Sequence, residues 1–272
     1  MPDVFPLRLD DARGHAVCLD APPRRIVSLV PSQTELLAHL GLGDETVGLT
    51  RFCTRPSGWK DEKEIVGGTK NVRVEKIEAL QPDLVLANRE ENTREVVDAI
   101  EGVAPVFVTE VPGVPAAAAM IRDVGRLTGR SGQATALAGR LTERFAALAE
   151  DLAGNDPLPV AYLIWRDPYM TVGGDTIIHD VAARAGLENV FGETPRYPEV
   201  TPAEIAERGA QAVLLPDEPF PFDPGYAEEL RGALPEPIPT KLVEGQLFSW
   251  YGPRLAEAPP YLRELRAELE AA

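Results

Sequence analysis

The 272-residue sequence predicts an α/β protein of two similar lobes with parallel sheets, bridged by one long α-helix. Three observations predict it. Apolar, β-rich runs alternate with helical patterns almost throughout, the mark of parallel α/β architecture. A single amphipathic pattern without interruption follows Gly129. The second half of the chain then echoes the first.

Phe5–Leu9 and Ala16–Leu19 flank the turn Asp11-Ala12-Arg13-Gly14 and predict an N-terminal hairpin. Ile26-Val27-Ser28-Leu29-Val30 reads as a buried strand stopped by Pro31. Ser32-Gln33-Thr34-Glu35 has the form of a capping box opening a helix through Leu40. Further strands are expected at Thr46–Leu49, Asp83–Ala87 and Pro105–Val108, with helices at Val74–Leu80 and Thr93–Ile100. Ala134, Leu137, Leu141, Phe145, Leu148 and Leu152 then step by threes and fours, so they share one face of a helix. Gly154-Asn155-Asp156-Pro157 ends it. Its length of roughly 33 Å lets it brace two lobes. Beyond it come strand Val160–Ile164, helix Thr176–Ala185, strand Ala212–Leu215 and a closing helix Tyr261–Leu269. The resulting division is an N-terminal lobe over 1–128 with its hairpin, a bridging helix over 129–156 and a C-terminal lobe over 157–272. Glu75-Lys76-Ile77 followed by Pro82–Leu86 is answered by Glu204-Ile205 followed by Gln211–Leu215, each a short helix leading into a buried strand.

Composition narrows the function. With 27 Lys and Arg against 43 Asp and Glu, the formal charge is −16, a field that repels phosphate backbones and anionic lipid. No nucleic-acid partner is expected. No stretch approaches the roughly 18 apolar residues of a membrane span. Asp3, Asp10 and Asp11 interrupt the place where a signal peptide would be apolar. A cytoplasmic location is expected on the sequence as given, and a periplasmic one if a signal has been removed. Cys18 and Cys53 are too few for a disulfide scaffold, and their spacing demands no bridge.

No motif for catalysis is found: there is no phosphate loop, no dinucleotide fingerprint and no nucleophile elbow. Val66-Gly67-Gly68-Thr69 and Val172-Gly173-Gly174-Asp175 read as tight turns. His15, His39 and His179 are isolated, so no metal site is expected. What stands out is the concentration of aromatic and basic residues at strand ends and in loops, where α/β sheets bind ligands. Arg51, Phe52 and Cys53 follow one predicted strand, and Trp165, Arg166 and Tyr169 follow another. Tyr197 lies in a loop, as do Phe248, Trp250 and Tyr251. Micromolar binding needs about 8 kcal/mol, and each buried aromatic contributes roughly 1.5–3 kcal/mol. Three or four such rings with one arginine–anion pair suffice, even after the cost of association.

Ile26-Val27-Ser28-Leu29-Val30-Pro31-Ser32-Gln33-Thr34-Glu35 and Glu75-Lys76-Ile77-Glu78-Ala79-Leu80-Gln81-Pro82-Asp83-Leu84-Val85 resemble the helical-backbone metal receptors. These are the substrate-binding proteins of ABC importers for vitamin B12, haem and ferric siderophores, and the likeness is greatest to the vitamin B12-binding branch. The resemblance implies a ligand cleft between two lobes and a corrinoid or similar metal chelate as ligand. It implies no catalytic residue and no cofactor of the protein's own, so a binding protein rather than an enzyme is expected. Phe52, Trp165 and Tyr197 stand where it places ring-contacting aromatics, whereas Thr69 and Asn88 replace two others. It also implies that Glu75 and Glu204 dock on an ABC transporter permease; taken alone, each also reads simply as a helix-start residue favoured by the dipole. The chain is expected to act as a monomer. Cys53 is a candidate thiolate contact to the ligand or its metal, or a buried inert cysteine. A haem or siderophore ligand, a partner-binding scaffold, and a tetrapyrrole-handling enzyme using Glu90, Glu91 or Glu218 for acid–base work are the alternatives.

Overall fold

The computed structural model describes residues 4–271, which divide into two compact units. The N-terminal unit runs to Val111 and includes Pro115–Arg140 and Tyr251–Pro253; the C-terminal unit holds Pro112–Val114, Leu141–Trp250 and the chain from Arg254 on.

In the N-terminal unit, β1 (Leu7–Asp10) and β2 (Ala16–Leu19) form the expected antiparallel hairpin. There follow β3 (Ile26–Ser28), α1 (Pro31–His39), β4 (Thr46–Leu49), α2 (Trp59–Glu62), β5 (Glu64–Ile65), α3 (Val74–Leu80), β6 (Leu84–Asn88), α4 (Arg94–Glu101), β7 (Val106–Thr109) and α5 (Val114–Leu127), whose first residue, Val114, belongs to the C-terminal unit. The sheet order is β5-β4-β3-β6-β7, parallel throughout. Every residue of β3, β6 and β7 is buried, as strands covered on both faces require.

One local expectation changes. Pro31 does not stop the first strand's segment; it is the first residue of α1, and Val30 is the N-cap with no side-chain cap. Proline suits that position because its missing N–H has no helical acceptor there and its φ is preset. The supposed cap is therefore inside the helix, and Thr34 Oγ1 bonds instead to Ser28 Oγ at 2.8 Å and Val30 O at 3.0 Å. Helix α5, whose alanine-rich start lacks a polar stripe, is not among the expected elements. Its first N–H, from Val114, donates to the Asp180 carboxylate at 2.7 Å, a cap 66 residues away.

Helix α6 (Ser131–Asp151) gives residues up to Arg140 to the N-terminal unit and the rest to the C-terminal unit. Ala134, Leu137, Leu141, Phe145 and Leu148 are all buried along it.

In the C-terminal unit come β8 (Leu158–Trp165), β9 (Met170–Thr171), α7 (Ile177–Arg184), β10 (Leu187–Asn189), α8 (Pro202–Glu207), β11 (Ala212–Pro216), α9 (Pro224–Ala233), β12 (Thr240–Val243), α10 (Gln246–Ser249) and α11 (Pro253–Glu270). The closing helix thus begins before its expected start and carries Pro259 and Pro260 inside it. The order β10-β8-β11-β12 is parallel, with β9 antiparallel to β8. It repeats the order β4-β3-β6-β7 of the first unit, the structural form of the sequence echo. Glycine is required at the Gly173–Gly174 turn by close backbone approach. A Cβ on Gly173 would stand 2.0 Å from the Thr194 carbonyl oxygen, and one on Gly174 the same distance from that of Gly192.

Candidate functional site

In each unit the chain leaves the first strand of the sheet (β3, β8) toward one side, and β6 or β11 toward the other. Ligands of open α/β sheets bind outside the carboxyl ends at such a switch point. In the N-terminal unit it lies between β3 and β6, and in the C-terminal unit between β8 and β11.

At the N-terminal switch point the chain has built a buried polar network. Gln33 Nε2 donates to Thr109 Oγ1 at 2.6 Å and Asn88 Nδ2 donates to the same oxygen at 3.1 Å, while Thr109 donates to Ala87 O. Asn92 Oδ1 accepts from the Asn88 N–H at 2.9 Å, and its amide donates to Thr69 O at 2.8 Å. Thr69 and Asn88, polar where the resemblance has aromatics, are both buried in this network.

Beside it, after β4, Phe52 is 50% exposed. The Arg51 guanidinium lies 5.1 Å from the Phe52 ring centroid. Both sit against Gly68, where a Cβ would come within 3.1 Å of Arg51 Nη2 and 3.2 Å of Phe52 Cε2. Cys53 points the other way. Its thiol is buried, takes a hydrogen bond from Thr34 Oγ1 at 3.1 Å and shares one with Thr50 Oγ1 at 3.2 Å. Burial pushes the thiol's pKa up, which disfavours the thiolate.

At the C-terminal switch point Trp165 ends β8 and is 43% exposed. Its ring is braced edge-on by Phe220 at 5.6 Å, which packs in turn on Phe222 at 4.8 Å and Tyr226 at 5.1 Å. Arg166 is committed to this support: it pairs with Asp167 and Glu229 and lies 5.1 Å from the Tyr226 ring. Tyr169 is half-buried against the unit's core. Tyr197 is half-buried beneath the Arg196 guanidinium, 5.5 Å from its ring centroid. Phe248 is fully buried, its ring 5.1 Å from that of Tyr162, and it packs the core rather than a surface. Trp250 is buried, with its indole N–H given to Glu218 at 2.6 Å. Tyr251 is buried in the N-terminal unit.

The two glutamates differ. Glu75 is exposed in the first turn of α3. Glu204, equally exposed, closes a capping box: Thr201 N–H donates to its Oε2 at 2.7 Å and Thr201 Oγ1 at 2.9 Å. Those bonds hold its carboxyl below the ordinary value. A groove of about 710 Å³ in the N-terminal unit, lined by Arg13, His15 and Glu101, runs past the amino end of β7 and so away from the switch point.

Sequence reasoning did not single out Gln33, Asn92 or Thr109. Polar residues beside buried strands are a weak signal without the topology that gathers them.

Residues 26–218 match the periplasmic binding protein family. YvrC, an ABC transporter substrate-binding lipoprotein of Bacillus subtilis (strain 168), is 29% identical over 79% of this chain and 70% of its own length. A cobalamin-binding protein of Halobacterium salinarum is 31% identical over 77% of this chain, which spans only 58% of that relative. The fold matches that of the periplasmic vitamin B12-binding protein of Vibrio cholerae with a TM-score of 0.77 at 20% identity, covering 92% of this chain and 99% of that one. These likenesses are to solute-binding proteins, not enzymes, and leave the acid–base reading of Glu90, Glu91 and Glu218 without support. With more than half of its length matched, the chain belongs to the periplasmic binding protein family, in its helical-backbone metal receptor type.

Proposed function

We propose that this protein binds a corrinoid or a similar metal chelate, without a cofactor of its own, and delivers it to an ABC importer. The observation that carries this reading is an aromatic side chain left exposed at the carboxyl ends of the strands in each unit, Phe52 in one and Trp165 in the other. The carboxyl ends of the strands are where open α/β sheets bind ligands, and ligand sites are lined chiefly by apolar and aromatic side chains. Both are seated by dedicated neighbours, Gly68 and Phe220. The names of the Halobacterium and Vibrio proteins support cobalamin as the class.

Titration of the purified protein with cyanocobalamin, cobinamide and haem, followed by desalting, tests it. A corrinoid is expected to co-elute at one per chain with an altered visible spectrum. Phe52→Ala and Trp165→Ala should each weaken that binding by about 10- to 100-fold, the value of burying one ring. Their melting temperatures should stay at the parent's, because neither ring packs a core. If no chelate is retained, the reading fails.

Delivery places the protein outside the cytoplasmic membrane; among the described residues no helix is long and apolar enough to cross one. Recovery of the native protein in the cytosolic fraction would count against delivery. Docking falls to Glu75 and Glu204. Exposed ion pairs contribute only about 0.2–1 kcal/mol each, so they set orientation. The double variant Glu75→Ala with Glu204→Gln removes both charges and keeps an acceptor for the capping box. It should lose transport of corrinoid in cells while binding it in solution as the parent does.

A further inference from the structure

Two residues beyond β11, Glu218 stands at the C-terminal switch point. Its Oε1 accepts from Trp250 Nε1 at 2.6 Å and Ser249 Oγ at 3.2 Å, and its Oε2 accepts from Gln246 Nε2 at 3.2 Å. A carboxylate offers about four lone-pair directions, so one on Oε2 remains. All three donors are neutral. Among the described residues no Lys, Arg or His forms an ion pair with Glu218, and the guanidinium of Arg254 lies over the Trp250 ring instead, 5.9 Å from its centroid. The neighbouring Asp217 adds a second negative charge. Burial and that neighbour push the Glu218 carboxyl up, while the three hydrogen bonds hold it back.

This carboxylate is rigid but not neutralised. Gly245 tightens the arrangement: its N–H donates to Asp217 Oδ1 at 2.8 Å, and a Cβ there would stand 2.9 Å from Glu218 Cγ. Trp165 belongs to the same surface, because β8 and β11 are parallel neighbours and Phe220, two residues past Glu218, touches the Trp165 ring. An apolar face thus stands beside a fixed acceptor with residual negative charge. A carboxylate or phosphate edge is repelled there. An amide N–H or a cationic group satisfies the last lone pair and offsets the charge.

We propose that Glu218 is a selectivity residue which accepts an N–H from an amide or cationic edge of the bound chelate and turns away an edge that carries carboxylates. The proposal rests on the chelate-binding reading above and adds which chelates are admitted: amide-bearing macrocycles rather than their acids.

The test compares two probes with one macrocycle, cobinamide, whose side chains are amides, and cobyrinic acid, whose side chains are carboxylates. The parent protein is expected to prefer cobinamide by about ten-fold or more, the worth of one charge-assisted hydrogen bond. Glu218→Gln, checked for its fold by circular dichroism, should narrow that preference at least several-fold, chiefly by weaker cobinamide binding and stronger binding of the acid. Where that variant fails to fold, Glu218→Asp withdraws the charge by one methylene and should narrow the ratio in the same direction. A parent that binds both probes equally, or a variant that keeps the parent's ratio, overturns the assignment to Glu218 while leaving chelate binding intact. A parent that binds neither corrinoid overturns the proposed function and this inference together.

Discussion

Phe248→Ala is expected to melt on the order of 10 °C below the parent protein. The side chain has no exposed surface, and its ring packs tilted, at 56° between planes, against Tyr162 in the middle of β8. Truncating a buried phenylalanine removes transfer energy and leaves a cavity, together about 3–5 kcal/mol. The surroundings have little means to collapse. Tyr162 is itself buried, and its hydroxyl has no hydrogen-bond partner among the described residues, so burial drives its pKa well up. At temperatures where Phe248→Ala is still folded, corrinoid affinity should match the parent's. That separates it from Phe52→Ala and Trp165→Ala, which should lose affinity without loss of stability. Calorimetric melting with a binding titration at 15 °C distinguishes the two classes. A Phe248→Ala protein as stable as the parent would show that the ring is not core.

That contrast marks how far the site was legible in the sequence. Clustering of aromatic residues at strand ends and in predicted loops singled out the segments that carry Phe52, Trp165 and Phe248. It did not separate exposed rings from buried ones. Phe52 and Phe248 both follow a strand within a few residues, and only the tertiary fold decides that one rests on Gly68 and the other on Tyr162. Trp250 shows the same limit: its position suggested a ligand contact, and its N–H is spent on Glu218. The polar network of Gln33, Asn88, Asn92 and Thr109 was invisible for a related reason. Its members come from α1, β6, β7 and the loop before α4, and nothing local joins them.

The fold was more legible, since its determinants are mostly local. Buried parallel strands are continuous apolar runs, and β3, β6, β8 and β11 stood out as such. Helix α6 followed from one apolar stripe. Failures fell where a non-local partner replaced a local signal. Helix α5 starts on Asp180, and no residue near Val114 announces it. Proline misled at both ends of the chain. At Pro31 it opens a helix instead of closing a strand, and at Pro259 and Pro260 it lies inside one.

Asp11→Ala is expected to destabilise the N-terminal unit by about 3 kcal/mol, through the clasp that ties the hairpin to the sheet. The Asp11 side chain has no exposed surface and pairs with Arg13 Nη2 at 2.7 Å. Oδ1 accepts the N–H groups of Arg13 at 2.8 Å and His15 at 3.0 Å; Oδ2 accepts Arg13 Nε at 2.8 Å and the Val108 N–H at 3.3 Å. Ala12 N–H donates to Val108 O at 2.8 Å, so the turn covers the outer edge of β7, a row of groups that would otherwise be open to pairing. Removing the carboxylate strands those donors and leaves Arg13 only Glu101 as a counter-charge. Burial alone would raise the Asp11 carboxyl, but the Arg13 guanidinium and the backbone N–H groups of His15, Arg13 and Val108 outweigh it and hold the value below the ordinary one. A depressed folded pKa contributes stability that is complete above the unfolded value, about 3.9, and is lost as pH falls through the folded value. The gap between parent and Asp11→Ala should therefore be constant above about pH 5 and shrink below pH 4. Urea melts at several pH values, read alongside hydrogen exchange at the Val108 amide, check both parts. A gap that is absent at pH 7, or that widens in acid, would show that the clasp does not hold the edge.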